Sequence, residues 1–598
     1  MTGTPVPWRT AFGLCALAGR SGLFAQGGLV LVQALLPVLG LFAMQWLVDA
    51  VAKGMSGAEP TDIAFGHATT AVAIAAAVAL CGSLARGVAA VVAETHGRQL
   101  ADACAASMQE HAAQLDLGEY DRASFHDLLH RAGTEASQRP VRLVQDLVAV
   151  ATALVSFVAM AFLLARIELW LPLVVGAAAV PIAWARARAA RLRFRWHEQH
   201  PQPQREVGYL AAVLTGRATA KDLRALGLQR LFARRLATLR TSLRASLRAL
   251  AVGRSRDELL VHTIASLGLF GAYLYLGHTA LLGYLTIGGL VLHAQAAQRA
   301  QSSVRDVLGA LAAVGEDRMF LRPLVEFLAL RPRLVATPPV AEPPPGPVAI
   351  AARAVGFRYP ESPRDALRDV SFTLAAGERV AIVGQNGSGK STLVKLLCRL
   401  YDPTTGSLSV GGIELPHLQP ERWRRRLAVL LQDATSFELT LRENLRLGRR
   451  HDDSGHADAD TDDAALWPAL EVVGLADRVR QLPLGLATPL SRRLPGGIEL
   501  SGGEQRRVVL ARALAQPADV LLLDEPFALL DGAAATALAA ELEVRPRAQT
   551  IVVVDHRVAA VRWVDRVLLL DSGVLVANGT PKALAATDGR FRALFPDW

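Results

Sequence analysis

The stretch GQNGSGKST, Gly384 to Thr392, fits the spacing G-x-x-x-x-G-K-[S/T]. An apolar β-branched run, RVAIV, precedes it and a helical pattern, LVKLL, follows. In that setting Gly384, Gly387 and Gly389 let the backbone wrap around phosphate groups, with N–H groups converging at a helix N-terminus. Gln385, Asn386, Ser388 and Thr392 complete the cradle. Lys390 would reach the β- and γ-phosphates, and Ser391 would supply a hydroxyl ligand for Mg2+. The chemistry expected is binding of a nucleoside triphosphate.

Other residues extend this to hydrolysis. VLLLDEP, Val520 to Pro526, is an apolar strand ending in two carboxylates. Asp524 can hold the Mg2+ ion, directly or through water, and Glu525 can polarise the attacking water as general base. TIVVVDHRV, Thr550 to Val558, is a second such strand, with His556 placed to bond the γ-phosphate and the water. Gln432 follows the apolar VLL and could sense γ-phosphate or metal, while Tyr359 in FRYP precedes a turn and could stack on adenine. The expected catalytic set is Glu525, His556 and Gln432, and the expected metal ligands are Ser391, Gln432 and Asp524.

A second glycine-rich turn, ELSGGEQRR, runs from Glu499 to Arg507. One nucleotide needs one phosphate loop. Leu500, Ser501, Gly502, Gly503 and Glu504 therefore have no nucleotide to hold within this chain.

These motifs need a scaffold. Beyond the stretch ATPPVAEPPPGPV, which can form neither helix nor central strand, short β-branched runs alternate with helical patterns, as in an α/β domain. Ahead of it the chain is of another kind. The whole is 52% hydrophobic and 20% charged with mean hydropathy +0.28, unusually apolar for a soluble protein. Six apolar segments, at about 22–51, 67–94, 143–165, 169–186, 258–277 and 283–308, suit a bilayer that takes about 20 apolar residues per span. Connections after the first, third and fifth are short. Those after the second and fourth are long and Arg-rich, which places them and both termini in the cytoplasm. The net charge of +10 is concentrated between Arg186 and Arg256 and belongs to those loops, so nucleic acid is not an expected partner. Cys15, Cys81, Cys104 and Cys398 have neither metal-ligand spacing nor a disulfide framework. The first twenty residues lack a cleavable signal pattern and read as an interfacial helix. The expected domains are 1–330 in the membrane, a proline-rich linker at 331–347, and an α/β domain at 348–598.

Polar residues inside the spans are costly in lipid. Gln295, Gln298 and Arg299 share one helical face, and Arg86 lies on a stripe with Ser83 and Glu94. They read either as a substrate pathway or as helix ends and polar pairs that join helices.

The pieces FRYP, GQNGSGKST, VLLQD, LSGGE, LLLDEP, ALLD and DHR, in this order, resemble the ATP-binding cassette (ABC) family, and the six spans ahead of them resemble its exporter type. The resemblance covers nearly the whole chain. It implies a multi-domain membrane protein: an all-α six-helix transmembrane domain of the type IV exporter fold, with long cytoplasmic helix extensions, followed by an α/β P-loop ATPase domain. It implies ATP and Mg2+ as ligands, and a multi-pass protein in the bacterial cytoplasmic membrane with its ATPase domain inside the cell. It also answers the question of the second turn. In the family, cassettes pair head to tail, so Leu500 to Glu504 would act on the nucleotide of a partner and Asp531 would cross the interface. The partner is a second copy of the chain or a paralogous half-transporter.

Three positions depart from the family pattern: ALLD before Asp531 lacks a serine, Asp555 precedes the histidine, and Glu504 stands where Gln is usual. Asp555 could alter the pKa of His556 or simply be solvated. The acidic stretch from Arg449 to Asp463 reads as a disordered surface insertion. The segments Leu115 to Ala132 and Gly216 to Leu236 resemble the family's coupling regions, and their wording is similar to bacterial exporters of ribosomal peptides. The expected activity is ATP-driven export of a peptide natural product, trimmed by another protein because no room for a protease domain precedes the first span. Lipid or multidrug export, one half of a heterodimer, and an ATP-gated regulator are the alternatives.

Overall fold

The computed structural model describes residues 6–19, 21–136, 138–178, 180–199, 201–447, 463–528, 530–596 and 598. Of the acidic stretch, residues 449–462 lie outside these; Asp463 pairs with Arg442 and Arg446. The chain forms two compact units, one of Met1–Ala113 with Asp127–Leu330, the other of Gln114–His126 with Arg331–Trp598.

The first unit is helical. Ser21–Met55, Thr61–Gln114, Arg139–Ala165 and Gln229–Leu281 are each long and apolar enough to cross a membrane. The fourth expected span is divided between Leu171–Ala177 and Val180–Gln199, and the sixth begins the helix Ile287–Phe320. At 1.5 Å per residue the 54 residues of Thr61–Gln114 extend for roughly 80 Å, against about 30 Å of hydrocarbon, so this helix continues well outside the bilayer. Polar ties fix the helices at their ends. The Asp49 carboxylate accepts from the Gly288 N–H at 2.8 Å and the Thr286 hydroxyl at 3.1 Å, capping the start of Ile287–Phe320. Only glycine fits at 288, because a Cβ there would stand 2.4 Å from the Gln45 carbonyl oxygen. Near the other end of this helix, Arg139 donates to Asp317 at 2.8 Å and stacks over Phe320.

The second unit contains two sheets. One is antiparallel, in the order β2-β1-β4-β5, from Ile350–Phe357 (β1), Leu367–Leu374 (β2), Thr405–Val410 (β4) and Ile413–Glu414 (β5). The other has the order β10-β9-β3-β8-β7-β6, from Arg379–Val383 (β3), Leu427–Leu430 (β6), Val520–Asp524 (β7), Thr550–Val554 (β8), Arg566–Asp571 (β9) and Val574–Gly579 (β10). Strands β3, β7 and β8 are buried at every residue, as parallel strands covered on both faces must be. Their alternation splits the core: Ala381, Leu521 and Val553 face one apolar layer, and Val380, Leu522 and Val552 the other. The functional motifs follow the C-terminal ends of β3, β6, β7 and β8, where an open α/β sheet binds its ligands.

The unit boundary does not follow the chain. Gln114–His126, expected within the membrane domain, packs with the α/β sheets. Asp116 accepts from the backbone N–H groups of Arg333 and Leu334, Arg333 also pairs with Glu119, and the Tyr401 hydroxyl donates to Asp121 at 2.6 Å. The proline-rich linker is also tied down: Thr337 and Ala341 N–H groups donate to the Pro416 and His417 carbonyls, and Arg426 donates to those of Pro344 and Gly346. The Gly216 to Leu236 segment belongs to the first unit.

Candidate nucleotide site

The loop after β3 is built so that only its own sequence fits. Gly384 has φ +151°, and a Cβ on it would lie 2.1 Å from the Leu570 carbonyl oxygen; Gly389 has φ +99°, and its Cβ would meet the Ala366 oxygen at 2.7 Å. Gly387, at φ +80°, has space for a side chain but not the backbone for one. Lys390 begins the helix Lys390–Leu397, is buried, and donates from Nζ to the Gly384 and Gln385 carbonyls at 2.8 Å each. Burial lowers its pKa, countered by the charges of Glu525 and Asp524.

Asp524 ends β7 and is 3% exposed. Burial pushes its carboxyl up to about 6; the neighbouring Ser391 hydroxyl and Lys390 pull it down, and Glu525 and Asp555 push it up. Its Oδ1 and the Ser388 Oγ are buried with no hydrogen-bond partner among the described residues. A buried orphan carboxylate oxygen is expensive. A carboxylate, a hydroxyl and a nearby amide form an all-oxygen donor set that suits Mg2+, so the residues present fit the implied ion. Glu525 follows with φ +54°, the left-handed region that a glutamate rarely adopts, and its N–H donates to the Val554 carbonyl at 2.7 Å. Gln432, exposed just beyond β6, lines with Asp524 and Glu525 a cavity of about 130 Å3, which also takes in Arg506 and Arg507. Sequence reading did not anticipate these two arginines.

Tyr359 is half-buried. Its hydroxyl bonds the Thr392 hydroxyl at 3.1 Å, and its ring meets Phe357 and Tyr401 edge-on at 4.9 and 5.5 Å.

The structure resolves the question of Asp555. The residue is fully buried and neither solvated nor aimed at the imidazole; His556 Nδ1 is 3.9 Å away and its side chain is exposed. The carboxylate instead accepts from three backbone N–H groups, Phe527 at 3.2 Å, His556 at 2.8 Å and Arg557 at 3.0 Å. Burial raises its pKa and the three amides lower it. Arg557 adds a bond to the Ala528 carbonyl at 3.3 Å. The turn after Glu525 and the loop carrying His556 are thus joined through Asp555 and Arg557.

The second turn is different. Ser501 caps the helix Gly502–Leu514: its hydroxyl accepts from the Glu504 N–H at 3.3 Å and the Glu504 carboxylate accepts from the Ser501 N–H at 2.8 Å. This capping box accounts for Glu504, since Glu and Gln both complete it. A Cβ on Gly502 or Gly503 would meet nothing within 4 Å. Leu500 is buried beneath. Among the described residues no hydrogen bond joins Leu500–Glu504 to the phosphate loop. Asp531 is exposed and caps Gly532–Val544 by accepting from the Ala534 N–H at 2.9 Å.

The membrane residues Arg86, Gln298 and Arg299 are exposed and Gln295 is half-buried. None of the four lines the cavity found in that unit. The helix Ile287–Phe320 buries Ala296, Ala297, Ala300, Gln301 and Ser303 instead, so the polar stripe read from the sequence faces away from its packed side.

Residues 367–528 match the model of a family described as ABC transporter. Among characterised relatives, the ATP-dependent lipid A-core flippase of Bordetella avium is 35% identical over 41% of this chain and 40% of its own length. The Mycobactin import ATP-binding/permease protein IrtB of Mycolicibacterium thermoresistibile is 40% identical over 38% of this chain and 37% of its own. The matches thus span about 40% of these relatives' length. A solved bacterial Atm1-family ABC exporter with ATP bound superposes with TM-score 0.82 over 97% of this chain and 99% of that one, at 21% identity, and shows that the exporter fold extends over both units.

Proposed function

We propose that this chain, which joins an ABC transporter ATP-binding domain to a membrane domain of the exporter fold, pairs with a second copy and couples ATP hydrolysis to export across the bacterial cytoplasmic membrane. One observation carries the reading. The phosphate loop is shaped by contacts within its own chain, while a Cβ on Gly502 or Gly503, at the start of a capped helix, would meet nothing within 4 Å. A helix N-terminus with two bare glycines suits close approach of a phosphate. The partner's phosphate loop would supply one.

In this account Gly384–Thr392 hold the phosphates, Tyr359 stacks on adenine, and Ser391, Asp524 and Gln432 hold Mg2+, which neutralises phosphate charge when bound. Glu525 polarises the water, with His556 and Gln432 orienting it. Head-to-tail closure brings Leu500–Glu504 and Asp531 onto the partner's nucleotide. Asp116 and Asp121, which follow the helix Thr61–Gln114 in the chain, are bonded within the second unit to Arg333, Leu334 and Tyr401. Closure then favours an outward-facing arrangement, because ATP binds the closed state more tightly. Glu525→Gln abolishing ATP turnover while retaining ATP binding is the expected result, and normal turnover would contradict it.

The cargo we propose is a peptide natural product, on the wording of Leu115 to Ala132 and Gly216 to Leu236. A second reading, a lipid or another amphiphile, is favoured by the relatives named for lipid A-core and mycobactin.

A further inference from the structure

Two side chains hold the loop that leaves Gln432, which runs from Asp433 to Thr440 between β6 and the helix Leu441–Arg446. Asn444, on that helix, is fully buried. Its Oδ1 accepts from the Phe437 N–H at 2.9 Å, and its Nδ2 donates to the Phe437 and Thr440 carbonyls at 3.0 Å each. Arg512 comes from the last turn of the helix Gly502–Leu514. It donates from Nε to the Asn444 carbonyl and from Nη2 to Asn444 Oδ1, both at 2.9 Å, and both Nη groups reach the Thr435 carbonyl at 3.4 Å. Its guanidinium lies 5.3 Å from the centroid of the Phe437 ring. Among the described residues no carboxylate pairs with Arg512. Its planar fork thus grips amide oxygens by geometry, which a lysine cannot reproduce.

The same helix begins at the Ser501 turn. Arg512 lies roughly 15 Å along the axis from Gly502 at about 1.5 Å per residue. Between them Val508, Val509, Leu510 and Ala511 are buried in the apolar core, so the helix moves as one piece. One end carries Ser501–Gly503, and the other grips the loop behind Gln432. Gln432 in turn shares a cavity with Asp524 and Glu525.

On the head-to-tail reading proposed above, we infer that Arg512 is a positioning residue for both nucleotide sites of the pair. Through Thr435, Phe437 and Asn444 it sets Gln432 at the site of its own chain, and through its helix it sets Ser501–Gly503 at the partner's. The side chain touches neither nucleotide. One guanidinium thus ties the two sites together: a shift of the Gln432 loop draws the Ser501 turn with it.

The test uses the full-length protein in nanodiscs and the variant Arg512→Lys, which keeps the charge and the stem but loses the fork. Nucleotide-free protein is first followed by hydrogen exchange with mass spectrometry. Exchange over residues 433–440 should rise at least about threefold in the variant, at an unchanged melting temperature. Differently tagged mixed dimers then isolate one site at a time. Arg512→Lys with Lys390→Ala, opposite an unaltered chain, leaves only the site that uses the altered chain's Ser501 turn. Arg512→Lys with Gly502→Asp leaves only the site that uses the altered chain's own Gln432. ATP turnover should fall about tenfold in each, relative to the same dimer without Arg512→Lys, with KM within about twofold. The half-saturating Mg2+ concentration should rise only in the second dimer, where Gln432 belongs to the altered chain; a general loss of stability would not separate the two. A fall in one dimer alone or in neither, an equal Mg2+ shift in both, or unchanged exchange overturns the inference. If Arg512→Lys lowers the melting temperature, Phe437→Ala decides in the same dimers: that ring is 53% exposed, and loss of the face under the guanidinium should reduce turnover about threefold in each. The head-to-tail reading fails separately. If Lys390→Ala and Gly502→Asp support turnover only when they share a chain, that reading is lost, while faster exchange over 433–440 would still show the grip of Arg512 on the Gln432 loop.

Discussion

The two glycine-rich turns of the ATPase domain look alike in sequence and differ in what requires their glycines. In the phosphate loop a methyl group on Gly384 or Gly389 would collide with backbone of the same chain. In the second turn, a methyl on Gly502 or Gly503 would meet open space. Glycine at the first is a requirement of the fold. At the second the fold itself places no such requirement on glycine. Both turns begin helices, yet among the described residues only the first has orphan buried oxygens beside it, at Ser388 and Asp524.

The largest effect expected is at neither turn but at the candidate general base. Glu525→Gln should lower ATP turnover by at least about a hundredfold with ATP still bound, as loss of a general base does. Next come substitutions that separate the turns. Gly384→Ala should lower both the melting temperature and nucleotide affinity, because its Cβ has nowhere to go. Gly502→Asp should leave the melt and single-chain nucleotide binding unchanged yet reduce ATPase activity by about a hundredfold; an unchanged ATPase would break the contrast.

A smaller effect, about tenfold on kcat with KM nearly constant, is expected for Asp555→Asn. One amide oxygen cannot replace a carboxylate that accepts from Phe527, His556 and Arg557 together. An activity loss confined to KM would contradict this. The pH dependence of stability is subtler. Burial raises Asp524 to about 6, so its contribution to stability is full below the ordinary carboxylate range and is lost as pH climbs through about 6. Metal-free protein should lose this stabilisation between about pH 4 and 6, and Mg2+ with nucleotide should add more stability at pH 7 than at pH 5, because it needs the ionised carboxylate. Asp524→Asn should remove that dependence in thermal melts. The smallest effect is Glu504→Gln, under about 0.5 kcal/mol, since the capping box survives.

Much of this was legible before any coordinates. Regular alternation of motif and apolar strand located Gly384–Thr392, Gln432, Asp524, Glu525 and His556 after strands that do lie side by side in one sheet. What stayed hidden depends on tertiary contact. Asp555 could be flagged as unusual, but its three amide partners come from loops that only the β7–β8 pairing brings together. Gln114–His126 follows a helix without a break in pattern, and nothing local says that Asp121 meets Tyr401, 280 residues later. In the membrane unit, four of the expected spans fall in helices long and apolar enough to cross a membrane, and in Ile287–Phe320 packing buries the small residues beside the stripe of Gln295, Gln298 and Arg299.

The central claim is that the second turn serves a neighbour's phosphate loop. Differently tagged mixed dimers test it directly, with Lys390→Ala disabling one turn and Gly502→Asp the other. With the two substitutions on separate chains, one complete composite site remains, and ATPase activity above that of either variant homodimer is predicted. With both on one chain opposite an unaltered partner, neither composite site is complete and activity should fall to background. The reverse pattern, activity when both substitutions share a chain and none when they are separated, would show that each chain completes its own site and would contradict the account.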